Sequence, residues 1–331
     1  MANPVISVIV PVYNLAEPVA ACLRSLLVQS FRDFELIAMD DGSTDGSLAV
    51  LQALAEEDAR IRVLHQENQG VSMARNNALA EARGDWIVFV DADDTVAEDY
   101  LQALWSLVED GQADWGILNV GTKEENPGIV WDSRVVDYTG QDLVDEMLRV
   151  AGTFQTYNWN KIFKKSILDA AGIRFLPGNA FGEDYLFVYE YACRAAHARL
   201  LMSPPDRYYY YDVHEGSLSH HFSSRKCLDA MVISEKLLEV NGRFSNMNEK
   251  ALTYVRWRHA IYAMRYLETL YTETRHLDRK LISATLKKVV PNLRLLSRVD
   301  QLRFVLLAVV PRPFLEYYRL RKLRQLKKGV Y

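Results

Sequence analysis

The chain has 331 residues, with 39 Lys or Arg, 43 Asp or Glu and a net charge of −4, enough for about two domains and too acidic overall to point to nucleic acid. Its three cysteines, Cys22, Cys193 and Cys227, lie far apart with no CxxC, which argues against a zinc site or disulfide framework and for a reducing, cytoplasmic compartment. Met1-Ala2-Asn3-Pro4 lacks the basic-then-apolar order of a signal peptide, and no apolar segment approaches the roughly 18–20 residues of a spanning helix.

In chain order, residues 5–12 form an apolar run expected as a buried strand. Residues 17–29 read as a helix, with Val19, Cys22, Leu23, Leu26 and Leu27 on one face. A strand over 34–39, a helix over 46–58 with Ser43, Thr44 and Asp45 as cap candidates, and a strand over 61–65 follow. A helix over 71–83, closed by Gly84, leads to a strand over 86–90, a helix over 97–109 and a fifth strand over 114–120. Repeated strand–helix–strand units imply a mostly parallel sheet flanked by helices. Residues 121–138 loosen into a polar stretch expected to hold a hairpin, 141–150 and 161–170 read as helices, and an apolar helix is expected over 185–196. Residues 207–211 are an aromatic strand candidate, expected to alternate between core and surface. Beyond about residue 223 only helical patterns stand out.

The chemistry gathers where strands run out. Asp91-Ala92-Asp93-Asp94 follows the strand over 86–90, at the carboxyl edge where open α/β sheets bind ligands. Three carboxylates in four residues repel one another, which a hard divalent cation relieves; the same residues also suit a helix-capping turn. The first strand ends in Pro11-Val12-Tyr13-Asn14, and the second in Asp40-Asp41-Gly42-Ser43-Thr44-Asp45-Gly46-Ser47, a turn whose backbone N–H groups suit a phosphate or sugar hydroxyl, or simply cap the next helix. No Gly-Lys pair of a Walker loop and no GxGxxG occurs.

Together these segments, with Ala74-Arg75-Asn76 and Gly84-Asp85, resemble the family 2 glycosyltransferases, strongly over about residues 5–120 and more loosely to about 220. The resemblance implies a GT-A fold, a Rossmann-like, mostly parallel sheet flanked by helices, followed here by a C-terminal helical region. It implies a catalytic domain over residues 1–222, with a nucleotide-sugar half (1–120) and an acceptor-side half (121–222), and leaves 223–331 outside it. It implies that Pro11, Tyr13, Asn14 and Asp41 hold the nucleotide, that Arg75 faces it, and that Asp91 contacts the ribose or sugar side. Asp93, or Asp94 beside it, then binds Mn2+ or Mg2+ under the donor diphosphate. Glu183-Asp184 matches the family's acidic pair at a helix start, with Asp184 as base, kept ionised by the helix N-terminus. Glu183 falls on the acceptor side with Trp159, Asn160 and Lys161, which match an acceptor-side segment, and Ser217, His214 and His220 match a segment closing over the diphosphate.

The implied activity is inverting transfer of a sugar from a nucleotide-diphosphate donor, a UDP-sugar, to a glycan or lipid-linked glycan, one sugar at a time, in bacterial surface polysaccharide assembly. A nucleotidyltransferase would carry a Gly-rich, basic loop where this chain has Tyr13-Asn14-Leu15-Ala16, and intact Asp93 and Asp184 argue against a non-catalytic binding module. Residues 312–328 hold seven basic side chains against one acid, with Phe314, Leu315, Tyr318, Leu320, Leu323 and Leu326 interleaved, the composition either of a helix lying peripherally on an anionic inner membrane face or of one packed on its own domain or in a dimer with a solvated basic face.

Overall fold

The computed structural model describes residues 3–119, 133–147, 156–179, 181–203, 207–210, 223–244 and 247–326. The apolar runs become strands because they are buried on both faces, as a sheet covered by helices requires. The strands are β1 (Ile6–Val12), β2 (Phe34–Asp40), β3 (Ile61–His65), β4 (Trp86–Phe89), β5 (Thr95–Val96), β6 (Trp115–Leu118), β7 (Val135–Thr139), β8 (Lys161–Lys164), β9 (His197–Leu201) and β10 (Tyr209–Tyr210). Eight of them form one sheet in the order β3-β2-β1-β4-β8-β6-β9-β7, and β5 pairs with β10. β1 to β4 are mutually parallel, β8 is antiparallel to both neighbours, β9 is parallel to β6, and β7 closes the edge antiparallel. The helices of this part are α1 (Pro18–Leu27), α2 (Ser47–Glu57), α3 (Val71–Glu81), α4 (Tyr100–Ser106), α5 (Gly140–Met147), α6 (Lys165–Ala171) and α7 (Glu183–Ala192).

Three local expectations change. Lys161–Lys164, expected as the start of a helix, is β8; two apolar residues between lysines are too few to distinguish the periods. β9 was absent from the expectation, although Ala198 and Leu200 alternate inward along it. β7 pairs with β9 rather than with a sequence neighbour among the described residues, and residues 121–132 of the expected hairpin lie outside them.

Gly84 is not a helix cap, because α3 already ends at Ala82 in extended conformation. It is a close-packing position: its N–H donates to Ser7 Oγ (2.8 Å), and an added Cβ would meet Ser7 N at 2.6 Å. Gly84→Ala should therefore cost about 1–3 kcal/mol by overpacking, read as a lower urea midpoint at unchanged m value.

The chain divides into two compact units, residues 1–214 and 215–331. The second is helical: α8 (Ser224–Phe244), α9 (Glu249–Thr274), α10 (Arg279–Val289), α11 (Arg298–Val309) and α12 (Pro311–Leu326). Its core includes Met264, Leu267, Leu286, Leu307 and Leu315.

Candidate active site

β1, β2 and β4 end on one edge of the sheet, with Val12 paired to Asp40 and Ile9 to Phe89. β2 and β3 lie to one side of β1 and β4 to the other, so the chain order reverses between β1 and β4 and opens a crevice there. Pro11 is buried, whereas Tyr13, just past the strand, is 47% exposed. Asn14 follows in the left-handed region (φ 53°), which Asn tolerates better than most residues.

The β2 loop holds that bend. Asn14 N–H donates to Ser43 Oγ (3.0 Å), Thr44 N–H to Asn14 Oδ1 (2.8 Å), Leu15 N–H to Ser47 Oγ (2.9 Å) and Ala16 N–H to Asp45 Oδ2 (3.1 Å). Asp45 also accepts from Ser47 N–H (2.9 Å), and its carboxyl is held below the usual range, chiefly by the Ser47 hydroxyl. The amides of Thr44 and Ser47, expected to cradle a phosphate, are thus already bonded within the two loops. Asp41 is buried and clamps the segment before α3: Oδ1 accepts from Gln66 Nε2 (2.6 Å) and Gln69 N–H (2.8 Å), and Oδ2 from Gly70 N–H (2.8 Å).

α3 and the start of α7 are far apart in the chain but bonded together. Ser72 Oγ donates to Asn179 O (2.9 Å), Asn76 Nδ2 to Phe175 O (2.8 Å), and Phe175 N–H to Asn76 Oδ1 (2.8 Å). Beneath them Phe175 stacks on Phe187 at 4.1 Å, and Phe89 meets both rings edge-on. This frame sets Arg75 between two carboxylates, with Nη1 donating to Glu183 Oε1 (2.8 Å) and Nη2 to Asp91 Oδ1 (2.9 Å). Its Nε finds no acceptor among the described residues. Burial opposes the Arg75 charge, but Asp91, Glu183 and Asp184 outweigh burial and raise its pKa. Arg75 was expected to face the nucleotide; the structure turns its terminal nitrogens to these acids instead.

Asp184 sits half-buried beside this bridge. Burial and then the neighbouring Glu183 charge push its carboxyl up to about 7, against the pull of Arg75 and of Tyr185 N–H on Oδ1 (2.8 Å). The expectation that the helix end keeps Asp184 ionised is corrected: desolvation and like charge exceed what a helix N-terminus supplies.

In the acidic turn, Asp93 is half-exposed, whereas Asp94 is fully buried with Oδ2 accepting from the Tyr209 hydroxyl (2.7 Å). The same hydroxyl accepts from Asp91 N–H (3.1 Å), so Tyr209 ties the two ends of the turn together. Of the two expected metal ligands, Asp94 holds the turn and Asp93 offers the accessible carboxylate. Among the described residues no group of three or more acidic, His or Cys side chains forms a metal cage. One or two half-exposed carboxylates do fit Mg2+ or Mn2+, which take hard oxygen ligands and complete their shells with substrate phosphates and water.

On the expected acceptor side, the rings of Tyr157, Trp159 and Tyr209 form a stack, at 5.1 Å and 4.1 Å between neighbours, with Tyr157 exposed. Asn160 and Lys161 are fully buried, which corrects their assignment as acceptor contacts. Lys161 Nζ donates to Tyr157 O (2.6 Å) and Asn160 Oδ1 (2.6 Å), and Asn160 Nδ2 to Leu118 O (2.6 Å), so the pair holds the turn that presents Trp159. Burial pushes the Lys161 pKa well down, opposed by the charge of Asp184. Tyr209 and Tyr157 escaped the sequence reading as site residues; only the alternation of 207–211, which turns Tyr209 inward and Tyr210 outward, hinted at the first. Ser217, His214 and His220 lie outside the described residues.

Comparison with known proteins gives the family and the fold. A sequence model described as Glycosyl transferase family 2 matches residues 7–175. The chain is 30% identical over 259 residues to EpsH of Bacillus subtilis strain 168, a protein that carries a glycosyltransferase name; the match spans 77% of this chain and 73% of that one. In fold it is similar to Staphylococcus aureus TarS 1–349 crystallised with UDP-GlcNAc, at a TM-score of 0.60 and 21% identity over 98% of this chain and 92% of that chain. It is also similar to the mannosyltransferase PcManGT of Pyrobaculum calidifontis in complex with GDP-Man and Mn2+, at a TM-score of 0.54 and 18% identity over 98% and 88% of the two chains. At these identities the structural likeness speaks to the fold, which is of the GT-A kind.

Proposed function

The chain belongs to glycosyl transferase family 2, and from that membership we propose an inverting, metal-dependent transfer of a single sugar from a UDP-sugar to a hydroxyl of a glycan or lipid-linked glycan, in assembly of a bacterial surface polysaccharide. The observation that supports this reading is the Asp91–Arg75–Glu183 bridge, which joins the start of α7, where Asp184 follows Glu183, to the acidic turn after β4. The UDP-GlcNAc in TarS and the GDP-Man with Mn2+ in PcManGT support a nucleotide-sugar donor and a divalent cation for this chain.

In the proposed step, Tyr13 forms an exposed wall for the base, and Asp41 keeps one lone pair of Oδ2 for a base N–H. Asp93 would hold the cation, which when bound would supply Lewis-acid stabilisation of negative charge on the diphosphate. The acceptor hydroxyl lies over the Trp159 side and gives its proton to Asp184 as its oxygen attacks the anomeric carbon. The bond from that carbon to the diphosphate breaks on the opposite face, and the configuration inverts. Arg75 keeps Asp91 and Glu183 in place throughout and takes no proton.

The test is titration calorimetry of UDP-sugars with and without Mn2+. Asp93→Ala should weaken Mn2+-dependent donor binding by about tenfold or more, since even outer-shell changes cost metal sites that much. Unchanged affinity would remove Asp93 from the site, and binding of a different nucleotide sugar in preference to any UDP-sugar would reassign the donor.

A further inference from the structure

α11 is apolar on both sides. Its inner side packs Phe304 and Leu307 into the core of the second unit. Its outer side presents Leu302, Val305 and Val309, which are 59%, 49% and 72% exposed. With Arg298 they fall at i, i+4, i+7 and i+11, a single stripe along the helix, and Val299 flanks it at 69% exposed. Isolated surface aliphatics are ordinary, but a continuous row marks an interaction surface.

The charge around the stripe says what covers it. Among residues 290–321, whose side chains are described, six Arg stand against two Asp or Glu, a local +4 in a chain of −4. Both acids face arginines, Asp300 meeting Arg303 (2.7 Å), which also pairs with the buried Glu268, and Glu316 meeting Arg319 (2.5 Å). Arg294, Arg298, Arg312 and Arg321 remain exposed. Of the apolar residues interleaved in the basic tail, Phe314 and Leu315 of α12 turn into the unit's own core, Leu320 is 45% exposed, and the side chains of Leu323 and Leu326 lie outside those described. The aliphatic row belongs to α11.

We propose that this face docks on an anionic lipid surface, with α11 lying in the membrane plane, its stripe among the acyl chains and its arginines at lipid phosphates. The 12 residues of α11 extend about 18 Å at 1.5 Å each, too short to cross roughly 30 Å of hydrocarbon but suited to lying in the interface. A second copy of the chain is the poorer occupant, because a two-fold contact sets the same positive surface against itself. Single-stranded nucleic acid is poorer too, because it is met by aromatic stacking platforms and this stripe is aliphatic.

The full chain is tested by sedimentation with vesicles of phosphatidylcholine, with and without phosphatidylglycerol. Wild type should pellet with the phosphatidylglycerol vesicles and stay in solution with phosphatidylcholine alone. The triple variant Leu302→Ser, Val305→Ser, Val309→Ser should lose binding by about tenfold or more, since the apolar area that would enter the acyl chains is removed. All three positions are exposed, so the thermal melt should be unchanged and a folding defect is separable. Failure of wild type to pellet with phosphatidylglycerol, or equal pelleting of the triple variant, would overturn the proposal. So would a lipid-free dimer of wild type that the same three changes dissociate, which would make a second copy the occupant.

Discussion

Asp184→Asn is expected to bind donor as the unaltered enzyme does and to lose transfer, with kcat falling about 10²–10⁴-fold, the range a positioned general base contributes. Asparagine keeps the shape and can still accept the Tyr185 N–H bond through its amide oxygen, so the start of α7 should not move. What it cannot do is take a proton. The unaltered enzyme should show an acid limb, with kcat/KM falling as pH drops through about 7, where burial and Glu183 place the Asp184 carboxyl. Residual activity of the variant should lack that limb. Full transfer in Asp184→Asn would assign the base elsewhere.

The same group has a consequence for stability, with a definite sign. Its folded pKa of about 7 lies above the ordinary 3.8, so the native state holds this proton more tightly than the unfolded chain. The stability this contributes is fully present below 3.8 and is lost as pH rises through about 7. Asparagine has no charge to bury. Asp184→Asn should therefore melt above wild type at pH 7 and higher, with the gap narrowing as the solution is acidified. A variant that is more stable and inactive is what a functional site under electrostatic strain predicts; one less stable at every pH would place the burial cost elsewhere.

The first half of the fold was legible in the sequence because buried apolar runs and helix periods are local signals. Residues 5–12 and 86–90 are continuous and apolar, and both are strands that end at the site. What was not legible depends on partners fixed only by folding. Lys161 looks like a surface residue in sequence and is buried, with its ammonium on Tyr157 O and Asn160 Oδ1, because β8 inserts between β4 and β6. Tyr209 meets Asp94 from 115 residues away, and Arg75 meets Glu183 from 108. The raised pKa of Asp184 is not legible in the sequence, where the helix start is visible but desolvation and the balance of Glu183 against Arg75 are not.

Arg75→Ala should produce the largest loss of stability, about 3–5 kcal/mol, the cost of breaking a buried ion pair from one side. Glu183 is buried and would keep a charge with no guanidinium to meet it, while Asp91, partly exposed, can turn to water. The loss should appear as a lower urea midpoint and should persist in high salt, because buried pairs are screened little. Adding Glu183→Gln to Arg75→Ala should recover part of it, since the stranded charge is then gone; simple additivity of the two changes would mean the groups do not act as a pair. The two single variants should also move the acid limb of kcat/KM in opposite directions. Arg75 pulls the Asp184 carboxyl down and Glu183 pushes it up, so Arg75→Ala should shift the limb to higher pH and Glu183→Gln to lower pH. A limb that stays in place in both variants would detach the base from this cluster and leave Arg75 with a purely structural role.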